Sequence, residues 1–138
     1  MFIVKHSVDT KASPKQIWRI WEDAENWKTW DEQIEFSGID GPFQTGTTGF
    51  TKFRATPLFK TRLTLVEPYQ LVVQETYLTF AKVVSTQSMS QAAGITRVTF
   101  QVEIRGLLSF FYGCMIRGSI RKKIPLEMEE MLKRLPNG

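Results

Sequence analysis

His6 and Cys114 are the single histidine and the single cysteine of this chain, and between them they bound its chemistry. His6 is the one side chain whose ordinary pKa lies near neutrality, so general acid–base work would fall to it first. The alternation along Phe2–Thr10 puts it on the inward side of a strand, where a hydrogen-bonded core or edge position is the commoner role. Cys114 would need a base and a thiolate-stabilising neighbourhood to act as a nucleophile, and a buried, inert thiol is the expected reading. One histidine and one cysteine cannot complete a tetrahedral metal site, and the carboxylates show no ligand-like clustering. Gly46-Thr47-Thr48-Gly49 lacks the lysine and the spacing of a phosphate loop. No pair of carboxylates stands out, and the facing of Glu75 within its strand is ambiguous. No metal or cofactor is expected. Catalysis would have to rest on a few polar groups: His6, Tyr77, Tyr112 or an inward arginine.

Such groups act only if the fold holds them around a space, and the C-terminal stretch Leu107–Leu135 points to one. Ile116, Ile120, Ile124, Met128, Met131 and Leu135 recur at helical spacing and form one apolar face. Continued upstream, the same stripe reaches Gly113 and Ser109, where bulk disappears. Phe110, Phe111, Tyr112, Cys114 and Met115 flank that gap. A helix with small residues along part of its buried face leaves room for a small ligand. Pro125 should bend it, because proline lacks an N–H and crowds the carbonyl one turn back.

The rest of the chain reads as strands and two short helices. Phe2–Thr10 alternates as a half-buried strand. Ser13-Pro14-Lys15-Gln16 starts a helix with a capping box and proline at its first position, and Ile17, Ile20, Trp21 and Ala24 form its inner face. Asn26–Trp30 is a second helical turn that sets Trp27 and Trp30 on one side. Strands are expected at Ile34–Ile39, Thr47–Ala55, Phe59–Val66 and Ile95–Arg105, with two more inside Leu71–Met89 that break near Thr79–Ala81. Strands segregated from helices imply an α+β domain spanning the chain. The expected architecture is a helix-grip: a curved antiparallel sheet of six or seven strands wrapped around the long C-terminal helix.

Composition sets the remaining bounds. The 138 residues suit one domain, and ten Phe with four Trp exceed what a small core needs, so some should line a cavity. The net charge is +4, and its densest group, Arg117, Arg121, Lys122 and Lys123, falls mostly away from the isoleucine stripe. That group reads as a solvated face, so no nucleic-acid partner is expected. Leu107–Ile116 is too short and broken to span a bilayer, and Met1–Val8 lacks the apolar core of a signal peptide. A cytoplasmic monomer or homodimer is expected. Pro57-Leu58-Phe59 is an apolar turn, which would make a pocket lip or a membrane-touching tip if exposed.

Three segments resemble the START-like (SRPBCC) superfamily, and most of all its polyketide cyclase/dehydrase branch. The first is Ala12-Ser13-Pro14 with Ile17-Trp18, Trp21-Glu22-Asp23, Trp27 and Trp30. The second is Gly46-Thr47 and Gly49 with Thr64-Leu65-Val66-Glu67-Pro68. The third is Arg117-Gly118-Ser119-Ile120, Ile124-Pro125 and Met131–Leu135. The resemblance covers nearly the whole chain and implies the helix-grip fold. It leaves function open, because the superfamily holds ligand carriers, hormone receptors, lipid-transfer proteins, aromatase/cyclases and ubiquinone-binding proteins. The leading expectation is binding or transport of a hydrophobic small molecule, whether aromatic, lipid-like or isoprenoid, between the sheet and the C-terminal helix. The alternative is an aromatase/cyclase that guides cyclisation and dehydration of a polyketide. Expected to contact the ligand are His6, Trp27, Trp30, Phe50, Phe53, Leu63, Tyr77, Phe100, Phe110, Gly113 and Cys114. An almost wholly apolar wall would favour carriage, and polar groups converging on one point would favour catalysis.

Overall fold

The computed structural model describes residues 2–135, with side chains for all of these except 2 and 115–120. Alternating side chains produce β1 (Phe2–Thr10), and the chain then turns into α1 (Pro14–Glu22). Ser13 caps that helix reciprocally: its Oγ accepts from the Gln16 N–H at 3.3 Å, and Gln16 Oε1 accepts from the Ser13 N–H at 2.9 Å. Two otherwise orphaned N–H groups are thereby satisfied. A 3₁₀ helix, Ala24–Thr29, follows directly. The two short helices expected after the first strand are therefore one α-helix and one 3₁₀ helix.

Six more strands build the sheet: β2 (Ile34–Ile39), β3 (Thr48–Phe53), β4 (Leu58–Glu67), β5 (Leu71–Leu78), β6 (Ala81–Ala92) and β7 (Ile95–Arg105). Their order is β1-β7-β6-β5-β4-β3-β2, and every neighbouring pair is antiparallel. This is a meander closed by β1 beside β7. Register shifts at Ile34/Phe36 and Leu63/Leu65 help curl it. The break inside Leu71–Met89 falls at Thr79-Phe80, as the sequence implied.

The C-terminal helix is shorter than Leu107–Leu135. Here α2 runs over Ser109–Leu132 and continues through Pro125 as one element. Gly106 has φ 110° and turns the chain off β7, which leaves Leu107 and Leu108 in the turn. The Cβ of any other residue at 106 would stand 2.8 Å from Ala81 Cα, so glycine is also required by the close approach of the β5–β6 hairpin.

The stripe on α2 divides in two. Ile124, Met128 and Met131 are buried, and Met128 and Met131 belong to the core with Ile17, Trp21, Val98 and Ile104. Trp21 Nε1 lies 3.3 Å from Met131 Sδ, joining the first helix to the last. Burying side chains of this size contributes about 1.5–3 kcal/mol each, so this end of the domain anchors the fold. The side chains of Ile116 and Ile120, the upstream members of the stripe, lie outside the described residues.

Candidate functional site

Between the concave face of the sheet and α2 lies a cavity of about 480 Å³. That volume suits a drug-sized molecule. Strand alternation decides its wall: Thr51 and Phe53 from β3, Phe59 from β4, Val72, Gln74, Thr76 and Leu78 from β5, Val83, Ser85 and Gln87 from β6, and Phe100 and Val102 from β7. The helix contributes Tyr112, Lys123, Ile124 and Glu127, and the segment around the 3₁₀ helix contributes Trp27, Trp30, Asp31 and Gln33.

Aromatic side chains separate this space from the core. Trp27 Nε1 donates to the Trp21 carbonyl at 2.9 Å, which leaves its ring face toward the cavity with no polar group unsatisfied. Trp30 and Phe100 lie with ring centroids 6.3 Å apart, and Phe53 and Phe59 form a second tilted pair at 6.3 Å.

The wall is not purely apolar. Gln74 pairs in register with Ser85, and Val72 with Gln87, so amide and hydroxyl groups cross the floor between apolar rows. Thr51 is 2% exposed, and its Oγ1 has no hydrogen-bond partner among the described residues. A buried hydroxyl left without a partner is unfavourable by about 1–3 kcal/mol, and a ligand oxygen or nitrogen could supply one.

The sharpest polar feature is a carboxyl pair. Asp31 follows the 3₁₀ helix and Glu127 lies on α2, and their side chains are within hydrogen-bonding reach of one another at the edge of the cavity. Burial pushes the Glu127 carboxyl up to about 9, with the neighbouring Asp31 charge adding to the effect. Burial also raises Asp31, opposed by the backbone N–H of Gln33 that donates to its Oδ1 at 3.0 Å. Glu127 therefore keeps its proton at neutral pH. Beside it, Lys123 Nζ lies 2.6 Å from Glu32 Oε1, and Arg54 Nε donates to the Glu32 carbonyl at 2.6 Å. These contacts clip α2 and β3 to the loop that carries Asp31. The lysine holds the Glu32 carboxyl below its ordinary value.

Of the residues expected to contact a ligand, the structure brings Trp27, Trp30, Phe53 and Phe100 together on the cavity wall. It puts the others elsewhere. Phe50 and Phe53 are an odd number of residues apart on one strand, so they face opposite ways. Phe50 packs on the outer face over Gly38, where an added Cβ would meet its Cζ at 2.7 Å. Tyr77 is likewise outward, between the inward Thr76 and Leu78, and its hydroxyl lies 3.2 Å from Glu75 Oε1. Leu63 is buried in the core. His6 pairs with Phe100 on the inner face of β1, half-buried and outside the cavity wall. Phe110 is 80% exposed, and Cys114 is exposed rather than buried. Gly113 is buried but does not line the cavity. Ile124, assigned by its spacing to the solid core, belongs to the buried cluster and also borders the cavity.

Asp31, Glu127, Thr51, Gln74 and Gln87 carried no functional expectation. Only the alternation of β3, with Phe53 inward, could have picked out Thr51. Asp31 and Glu127 are 96 positions apart, and nothing local to either marks the pair. A wider, open groove of about 900 Å³ crosses the outer face past Phe36, Phe50, Lys60, Arg62 and Tyr77, and no helix covers it. Among the described residues, no three His, Cys, Asp or Glu side chains gather as a metal would need, and no helix is long and apolar enough to cross a membrane.

The family model described as "Polyketide cyclase / dehydrase and lipid transport" matches residues 1–136. No curated protein matches the sequence. Among solved structures, the fold is similar to the Zhui aromatase/cyclase from Streptomyces sp. R1128, at TM-score 0.77 and 12% identity over 96% of this chain and 92% of that one. Hypothetical protein jhp0584 from Helicobacter pylori aligns at TM-score 0.79 and 9% identity, covering 97% of this chain and 88% of its own. Norcoclaurine synthase from Thalictrum flavum aligns at TM-score 0.70 and 14% identity, covering 96% and 85%. At such identities these likenesses establish a shared helix-grip architecture.

Proposed function

The chain belongs to the polyketide cyclase/dehydrase and lipid transport family, and from that premise we propose that it binds one small molecule with an aromatic or alicyclic body and several oxygen functions. The carrying observation is the composition of the cavity wall: aromatic faces from Trp27, Trp30, Phe53 and Phe100 alternate with Thr51, Gln74, Ser85 and Gln87. Apolar faces supply affinity, and spaced polar groups select a ligand whose oxygens meet them. A plain hydrocarbon chain would leave the amides and the Thr51 hydroxyl unpaired, which weighs against a simple fatty chain. Binding or transport of such a molecule is the reading supported best. It is tested by native mass spectrometry of protein purified from its own host. The expected result is a non-covalent adduct, released on denaturation, whose mass corresponds to an oxygenated cyclic compound. Protein that is always empty and fails to bind polycyclic phenols or ketones would refute the proposal.

One observation favours a second reading, an acid–base step of the cyclase/dehydratase kind. The Asp31–Glu127 pair sets a protonated Glu127 beside a second carboxyl at the cavity edge, and an ionised Asp31 would make the two an acid and a base. In a dehydration, the carboxylate would take the proton α to a carbonyl while the protonated partner gives its proton to the departing hydroxyl. Water leaves, a carbon–carbon double bond forms, and the pair ends with one proton, as it began. Loss of turnover in both Asp31→Asn and Glu127→Gln, with ligand binding retained, would support catalysis. Unchanged turnover in both would leave binding alone.

A further inference from the structure

We propose that the end of the sheet nearest the N-terminus of α2 docks onto an anionic lipid bilayer. Five large apolar side chains project there: Leu58 from the start of β4, Phe80 from the β5–β6 turn, Leu107 from the turn after β7, and Phe110 and Phe111 from the first turn of α2. Phe80, Leu107 and Phe110 are 69%, 84% and 80% exposed. Strand register brings them to one edge. Thr61 opposes Thr76, so the same register sets Leu58 level with Thr79; Lys82 opposes Arg105, which sets Phe80 level with Leu107. The edge is tied together, since the Leu108 N–H donates to the Phe80 carbonyl at 3.1 Å and the Tyr112 hydroxyl to the Thr79 carbonyl at 3.3 Å.

Charge identifies the occupant. Directly behind the apolar edge, one cross-strand row of the outer face carries Lys60, Tyr77, Lys82 and Arg105. The row behind that carries Arg62, Glu75 and Glu103, and the two acids pair backwards with Lys82 at 3.1 Å and Arg105 at 2.8 Å. Leu58 and Lys60 are two residues apart on a strand, about 7 Å. An apolar edge inserted about 5–10 Å into a bilayer would therefore carry this basic row to the depth of the lipid phosphates. With Arg62 and Lys60 added to the paired Lys82 and Arg105, the outer face beside the apolar edge carries a net positive charge, which suits an anionic surface.

Phe80 is the exposed aromatic of the β5–β6 turn. Its φ is +55°, a left-handed conformation in a two-residue hairpin turn that glycine or asparagine adopts with less strain. A bulky aromatic in that position is strained, exposed and makes the turn apolar. The cavity wall reaches the same end through Thr56 and Leu78, so the docked face is continuous with the binding site.

The test is flotation of the full chain with phosphatidylcholine vesicles, with and without phosphatidylglycerol, at low and high salt. Binding should require the anionic lipid and fall with salt. Phe110→Ser and Phe80→Asn should each weaken it by at least about tenfold. Phe80→Asn should also raise the melting temperature, which separates lost docking from lost folding. Lys60→Ser should weaken binding to the anionic vesicles about fivefold. Absence of flotation on anionic vesicles, or flotation unchanged in both Phe variants, would overturn the proposal. So would a concentration-dependent dimer that both Phe variants abolish, because the edge would then be a contact between two copies of this chain.

Discussion

The Glu127 carboxyl on α2 meets the Asp31 carboxyl from the loop after the 3₁₀ helix, at the edge of a cavity whose wall both help to form. Burial and mutual repulsion keep Glu127 protonated to about pH 9, well above its value in an unfolded chain. Between pH 4.5 and about 9 the folded state thus binds a proton that the unfolded state has released. Stability is fullest below the unfolded value and falls as pH rises through that window. The melting temperature should drop between pH 5 and pH 9, and Glu127→Gln should flatten that slope. A slope of equal size in the variant would show that the proton resides elsewhere.

Thr51→Val replaces an unpartnered buried hydroxyl with a methyl of the same shape. The empty protein should become more stable by about 1 kcal/mol, since the orphaned donor is removed. Affinity for an oxygenated ligand should fall. Chemical denaturation and a binding titration read the two effects, and a stabilised variant with unaltered affinity would mean that the ligand leaves Thr51 alone.

Ile124→Ala and Met128→Ala should separate cavity wall from core. Met128 is fully buried in the core, so its truncation should lower stability by about 2–5 kcal/mol. Ile124 borders space that already exists, so its truncation enlarges the cavity and should cost less stability while altering ligand affinity. Equal destabilisation with equal affinities would assign both residues to the core.

Glu32→Ala removes the carboxylate that Lys123 holds. The Glu32 carboxylate is exposed to solvent, so stability should change little. Its consequence should be kinetic: α2 loses one of its ties to the Asp31 loop, and ligand should dissociate faster in stopped-flow measurements. An unchanged off-rate would place the ligand's exit at another edge.

His6→Gln should leave ligand binding unaltered, because His6 lies half-buried on β1 outside the cavity wall. A fall in affinity above about tenfold, with the fold retained, would require a pose that reaches β1.

The sequence by itself determined the elements, because strand alternation, the Ser13–Gln16 cap and the Ile124–Met128–Met131 spacing are local patterns with local physical causes. The order of strands and helices then left the helix-grip as the way to bury both apolar faces. Facing was legible wherever alternation was applied strictly; taking both Phe50 and Phe53 as inward violated it. Gly113 and Ser109 pointed to a cavity beneath their part of the helix, but neither lines the one that forms, whose helix residues are Tyr112, Lys123, Ile124 and Glu127; its position depends on how far α2 stands from the sheet. That distance follows from packing summed over many side chains. Only the tertiary structure decided that Asp31 and Glu127 meet, that Thr51 lacks a partner, and that Leu58, Phe80, Leu107 and Phe110 share one edge. Burial and electrostatic coupling belong to groups brought together in space, and no window of sequence contains both members of such a pair.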